Sequence, residues 1–354
     1  MRRVVVYPGR IAVETTDIPA PGPNEALIRT LVAGVCGSDL HAAHGRHPFV
    51  PLPYRPGHEV VGVIETAGSG AGTFAPGQRV IVEPDLPCWT CKMCTSGREN
   101  LCENLQFFGC GYAQGGMADY FTLAANRLHL VPDALDDHTA ALIEPLSTPV
   151  HAVRLAGDLA GRSVAVLGAG TIGLLTLAVL RAQQVGKVVS TDPLPAKRAR
   201  AAALGADATI DASTPDVAGQ VRQALGGSAD IVFDCVSVQS SIDQAIAIAD
   251  KGGTVMVVGV PAREVTVPLP IVQDHQIRIQ GSATYLPEDY QESAGLLGRG
   301  AVKTADFVTA TRPLAQVAEA FELASSGDHL KVLVTVGRAV TALPGRPADD
   351  GAVC

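Results

Sequence analysis

"SVAVLGAGTIGLLTLAVL", residues 163–180, is the stretch on which the fold turns. A short apolar run ends at Leu167, glycines follow at 168, 170 and 173, and an apolar helical pattern takes over. Each glycine has its own reason. Gly168 makes the tight turn, Gly170 lets backbone approach a pyrophosphate, and Gly173 lets the helix pack on the strand. The helix start, at Thr171 and Ile172, offers free N–H groups to the phosphates. A lone G-x-G-x-x-G is a weak sign, but here it sits between strand and helix, as a dinucleotide site requires. Asp192 ends the next strand, about 20 residues on. A carboxylate there takes both ribose hydroxyls and repels a 2′-phosphate, which predicts NAD over NADP. The plainer reading makes Asp192 the cap of a helix beginning near Pro193. Lys197 joins the cofactor site and, with Arg198, leaves room for some tolerance of NADP.

Working outward, strands alternate with helical stretches as far as about residue 285: "VVSTD", "AKRARAAALGA", "ADIVFDCV", "SIDQAIAIA", "GTVMVVGV". Such alternation predicts βαβ units and an α/β, doubly wound parallel sheet over 151–285. Residues 1–150 read differently. They are rich in Pro and Gly, with short β-like runs separated by turns, as in a mostly β domain. Beyond 285, "LAQVAEAFELASSG" reads as one amphipathic helix and "KVLVTV" as a strand. The tail 341–354 has no periodicity and is expected to be mobile.

The chain of 354 residues is long enough for two cores. Its 47% hydrophobic and 18% charged composition is that of a globular protein. A net charge of −8 with no basic block argues against nucleic acid and anionic membrane as partners. The longest apolar run, 172–180, is too short to span a bilayer. Pro8 and Gly9 interrupt the run after Arg2 and Arg3 before it could form a signal-peptide core. Eight cysteines, four of them clustered, suit a reducing cytoplasm better than a disulfide scaffold. Cys354 stands last, so the end forms no prenylation box.

"CWTCKMCTSGRENLC" spaces Cys88, Cys91, Cys94 and Cys102 as C-x2-C-x2-C-x7-C. Four thiolates close a tetrahedral zinc shell and leave no place for substrate, so this lobe (86–104) predicts structural zinc. Reactive metal must lie elsewhere. Cys36 in "GVCGSDLH" and His58 with Glu59 in "PGHEVVG" sit beside glycines that permit close turns. Alone, each is more often a core residue. Beside an NAD site, they make a mixed N/S/O shell able to keep one position open, the catalytic arrangement for zinc. Glu144 in "IEPLSTPVHA" is a further carboxylate, whose plain reading is a helix N-terminal charge.

Five motifs in order, "CGSDLH", "GHEVVG", the four-cysteine lobe, "EPLSTPVHA" and "GAGTIG", carry a resemblance. The chain resembles the zinc-dependent medium-chain alcohol dehydrogenases, in particular their sorbitol/polyol and threonine dehydrogenase branch, over residues 1 to about 340. The resemblance implies a GroES-like catalytic domain built from both ends of the chain (1–150 and 286–340) around a Rossmann domain. Cys36, His58 and Glu59 match the catalytic-zinc positions, and Glu144 a position that alternates between ligand and outer shell. In the alcohol dehydrogenases proper that last position is cysteine, so Glu144 points to the polyol branch. Which of Glu59 and Glu144 binds metal at rest stays open. Ser38 and His41 match the proton-relay positions, and Lys331 lies near a basic position that touches cofactor. One catalytic and one structural zinc per subunit, and a homo-oligomer, a tetramer ahead of a dimer, are also implied.

The expected reaction is hydride transfer from a secondary alcohol of a polyol, sugar or cyclitol to NAD, giving a ketone. Butanediol- or L-threonine-type oxidation is the alternative. For the substrate, His44, Arg46 and His47 near the cleft mouth and Phe108, Tyr112 and Tyr285 are lining candidates. Three rival classes are a silent NAD-binding scaffold, a zinc ribbon for nucleic acid and a zinc-free reductase. Intact Cys36, Ser38, His41, His58 and Glu59 argue against the first, and the acidic balance against the second. Metal content separates the third. Cys110 and Cys235 have no assigned role.

Overall fold

The computed structural model describes residues 1–337 apart from Pro48 and Thr73. The expected tail 341–354, with Cys354, and the last residues of the 286–340 segment lie outside the described residues. Two sheets organise the rest. The first is six-stranded and parallel throughout, in the order Ala208–Ile210, Val188–Thr191, Val164–Leu167, Ala229–Asp234, Ala249–Val257, Arg278–Gly281. Val164–Leu167 and Val188–Thr191 are buried along their whole length, as strands covered by helices on both faces must be. The strand order reverses beside Val164–Leu167, so the ligand crevice opens at that strand's carboxyl end, at Gly168.

The second sheet is seven-stranded and mixed, with Glu25–Val35 at its centre. That strand pairs antiparallel with Glu59–Ala67 on one side and with Lys331–Thr335 on the other. Tyr120–Ala124 pairs with its first half. A short ribbon of Asp85–Leu86 and Gln106–Phe107 stands apart. Central pairing matters for function: it brings Gly34 opposite Glu59 and Val35 opposite Val332. Cys36, Glu59 and Lys331, far apart in sequence, therefore end at one edge.

Helix Ile143–Ala156 links the two halves. It runs without a break across 150/151, where the composition shift suggests a division, because Leu146, Val150 and Val153 are buried in the core that receives Leu174 and Leu177 of helix Thr171–Ala182 and also Val32 and Val61 of the mixed sheet. The "LAQVAEAFELASSG" stretch forms a 3-10 turn, Leu314–Gln316, and then helix Val317–Ser325. Among the described residues no helix is long and apolar enough to cross a membrane.

Candidate active site and metal centres

Cys36 follows the central strand and caps helix Gly37–Ala43, where its N–H donates to Asp39 Oδ2 at 3.0 Å. His58 precedes strand Glu59–Ala67 after Gly57, whose φ of 106° and the 2.3 Å that would separate an added Cβ from Met117 N exclude a side chain. One ligand atom each from Cys36, His58 and Glu59 lie within 4.8 Å of one another. Gly34 makes room: a Cβ there would stand 1.9 Å from Glu59 Oε2. Glu59 is wholly buried and ion-paired to Lys331, Nζ to Oε1 and Oε2 at 2.5 and 2.7 Å. Burial disfavours the Lys331 ammonium, yet Glu59 and Cys36 hold its pKa above the ordinary value.

Glu144 is not in that close group. It opens helix Ile143–Ala156 and accepts from Tyr285 Oη at 2.5 Å. Burial, with Glu59 adding, pushes its carboxyl up to about 7, against the pull of His58, Tyr285 and Lys331. His58 Nδ1 is buried with no hydrogen-bond partner; Asp39 Oδ1 lies 4.0 Å away. Burial opposes charge on His58, but Asp39, Cys36 and Glu144 raise its pKa well above normal. The cluster is thus an acidic, desolvated pocket with one orphaned nitrogen. That donor set fits a zinc ion.

The four-cysteine lobe is a second fit. Its four sulfur atoms lie within 4.8 Å of one another, with Cys91 Sγ 3.5 Å from Cys94 Sγ and 3.9 Å from Cys102 Sγ. A tetrahedron of ~2.3 Å Zn–S bonds needs sulfurs ~3.8 Å apart. Backbone N–H groups of Cys88 and Asn104 point at Cys102 Sγ, 3.2 and 3.3 Å away. Thr90's N–H and hydroxyl pull the Cys88 thiol down, while burial and the neighbouring thiols push Cys94 up. Four thiols this close resist ionising together unless a cation joins them.

The glycine loop has the expected geometry. Gly168 takes φ 90°, and a Cβ at Gly173 would meet Gly168 O at 1.8 Å. A Cβ at Gly170 would meet nothing within 4 Å, so that glycine faces open space, the cradle a pyrophosphate needs. Asp192 does not stand free. Its Oδ2 accepts from Ala169 N and its Oδ1 from Leu194 N, both at 2.9 Å, so it ties the glycine loop to the following turn. A cavity of about 520 Å³ lies over Gly168, Gly170, Asp192 and Lys197. A second, of about 200 Å³, joins Gly170, Thr171, Ile172 and Lys197 to Cys36, Glu59 and Lys331. Lys197 borders both. Thr171 Oγ1 also donates to Leu330 O at 2.6 Å, next to Lys331.

Ser38 and His41 lie one turn apart on helix Gly37–Ala43, Ser38 half-buried and His41 exposed. Two lining candidates need correction. Phe108 is a core residue, packed on Phe121 with ring centroids 5.0 Å apart. Its neighbour Phe107 is the one beside the cluster, edge-on to His58 at 5.5 Å. Tyr285 is buried and committed to Glu144. His44 and Arg46 are exposed and His47 half-buried, Tyr112 likewise. Sequence reading missed Asp39 behind His58, although it stands inside "CGSDLH", and missed Gly34, for which "VAGVC" carried the only sign.

Residues 22–133 match the alcohol dehydrogenase GroES-like domain and residues 171–299 the zinc-binding dehydrogenase domain. Sorbitol dehydrogenase of Ovis aries is 34% identical over 336 residues, covering 94% of this chain and 95% of the relative. L-galactonate-5-dehydrogenase of Escherichia coli (strain K12) is 34% identical over 316 residues, covering 89% and 92%. A zinc-binding dehydrogenase from Sinorhizobium meliloti 1021, solved bound to NADP, superposes with a TM-score of 0.88 at 32% identity, over 94% of this chain and 98% of that one. With a metal-ligand cluster and a dinucleotide loop on one cavity, the chain belongs to the zinc-dependent medium-chain alcohol dehydrogenases, in their sorbitol dehydrogenase-like branch, and is a zinc- and NAD(P)-dependent oxidoreductase.

Proposed function

We propose that the protein oxidises a secondary alcohol of a polyol, sugar or cyclitol to a ketone with NAD. One observation carries this reading: Cys36 and Glu59 share a cavity with Gly170, Thr171 and Ile172, so the residues that would hold a metal and those that would hold a dinucleotide line one space. When bound, zinc at Cys36, His58 and Glu59 lowers the pKa of a substrate hydroxyl, and the dinucleotide accepts the hydride. Glu144 is the alternate carboxylate, held back by Tyr285. Ser38 takes the hydroxyl proton, and exposed His41 passes it to solvent, a step suited to an imidazole, whose two nitrogens can accept and donate a proton. Cys88, Cys91, Cys94 and Cys102 hold the structural zinc. His41→Gln should lower turnover at neutral pH and recover as pH rises; a flat response removes His41 from the relay.

Asp192 supports NAD over NADP, since its carboxylate borders the larger cavity where the adenosine ribose belongs. Titrating both dinucleotides into the zinc-loaded protein checks this, and equal affinity would overturn it. A homo-oligomer, a tetramer ahead of a dimer, is supported by the open edge strand Arg278–Gly281 and exposed Leu269 and Ile271 nearby. A cytoplasmic setting suits the four reduced thiols. The deciding experiment is NADH formation across polyols, inositols, aminocyclitols, butanediol and L-threonine. Turnover of one class fixes the substrate branch; silence with zinc and NAD bound withdraws the polyol reading.

A further inference from the structure

A small group of buried polar atoms around Glu83 and Glu144 is unpaired. Asp85 is 1% exposed, and neither of its carboxylate oxygens has a hydrogen-bond partner. Ser282 Oγ and Thr284 Oγ1 are buried and unpaired as well, the Thr284 hydroxyl lying near Asp85 but outside hydrogen-bond geometry. Thr284 adopts φ 44°, a left-handed backbone that a β-branched residue enters only when its surroundings force it. Buried carboxylates are normally paired, and one that is not points to a missing partner.

Strand pairing fixes where Asp85 points. It stands directly opposite Phe107 in the ribbon, and opposed residues of an antiparallel pair project from the same face. Phe107 lies against His58. The carboxylate therefore shares the wall from which Phe107 reaches the metal cluster. The cation recorded near it, Arg127, is already committed to Glu83 at 2.7 Å. Burial, with Glu83 and Glu144 adding, holds the Asp85 carboxyl well above its usual range, against the hydroxyl of Thr284 and the charge of Arg127.

We propose that Asp85, with the hydroxyls of Thr284 and Ser282, forms a subsite for a protonated amine on the substrate, so that the preferred alcohol is an amino-substituted polyol or cyclitol. This rests on the polyol reading above. An ammonium offers three donors and the charge that two free carboxylate oxygens lack; a hydroxyl offers one donor and none of the charge. In this conformation the carboxylate is sealed from solvent. A substrate amine reaches it only if the turn carrying Thr284 moves aside. The competing explanation is an ordered water bridging Asp85, Thr284 and Ser282.

The test compares scyllo-inosamine with scyllo-inositol, by kcat/KM with NAD and by calorimetric titration into zinc- and NADH-loaded protein. Wild type should prefer the amine by about 30-fold or more, the scale of a buried charge pair. Asp85→Asn should abolish that preference through KM and change the inositol by no more than about twofold. Thr284→Val should lower selectivity for the amine in the same direction, which keeps the test alive if the Asp85 variant folds poorly. Equal losses on both compounds, or a lower melting temperature with selectivity unchanged, would mean a water-bridged structural carboxylate and overturn the proposal. A wild type that oxidises the inositol but binds the amine no better overturns the subsite alone. One that neither oxidises nor binds either compound overturns the subsite and the cyclitol reading together.

Discussion

Gly34 carries no side chain because the Glu59 carboxylate lies where one would begin. Gly34→Ala should therefore expel Glu59 from the cluster and leave one zinc per chain in place of two by elemental analysis. Two retained zincs would mean that the strands part and Glu59 is not needed for binding. Glu144 gives a pH dependence with a definite sign. Its ordinary value is 4.5, and burial raises it to about 7 in the folded chain. The folded form thus keeps a proton that the unfolded form releases, so the contribution is full below 4.5 and lost as pH rises to about 7. In zinc-free protein, wild type should lose on the order of 3 kcal/mol relative to Glu144→Gln over that window. Denaturant unfolding at both ends checks it. At this scale the sequence was informative where chemistry is rare. Cys36, His58 and Glu59, each more often a core residue when alone, stood out only together and beside a dinucleotide site. Phe107 and Phe108 could not be told apart, since strand parity alone decides which one meets His58 and which enters the core. The Tyr285–Glu144 bond spans 141 positions and has no local signature.

Among elements, the strand–turn–helix at 164–182 was readable because three glycines, an apolar strand and an apolar helix agree on one structure. Helix Ile143–Ala156 was harder. A change in composition falls within it, but its buried face belongs to a core drawn from both halves, and tertiary packing set its length. The four-cysteine lobe was legible as a metal site but not as a support. Asn100, between Cys94 and Cys102, donates to Ala283 O at 2.9 Å, beside the residues that flank Glu144 and Asp85. Cys94→Ser should thus remove one zinc of two and also speed amide exchange at 282–285, not only at 88–104. Exchange confined to the lobe would show that the Asn100 contact carries no restraint.

For the molecule as a whole, the two sheets share one core through Val32, Val61, Leu146, Val166 and Leu174. They should melt as one unit. Saturating NAD, at about 100 times its Kd, is expected to stabilise the whole chain by about 3 kcal/mol in a single transition. Two separate transitions, with only one moved by NAD, would contradict the shared core. Overall class was the most legible level, because alternation of strand and helix over a hundred residues averages out local error. The joining of the sheets was not, since no local pattern says that Val32 and Leu174 meet.

The Glu59–Lys331 pair has a consequence for biosynthesis. These partners are separated by 272 positions, and the strand that closes the central sheet against Glu25–Val35 is the one Lys331 begins. At ~5–20 residues per second, a ribosome makes Lys331 some tens of seconds after Glu59. Throughout that interval the emerging half cannot bury Glu59 against its counter-charge. The earliest-made members of the cluster, Cys36, His58 and Glu59, are thus assembled last, and a nascent chain halted before Lys331 is a pocket still waiting for its final wall.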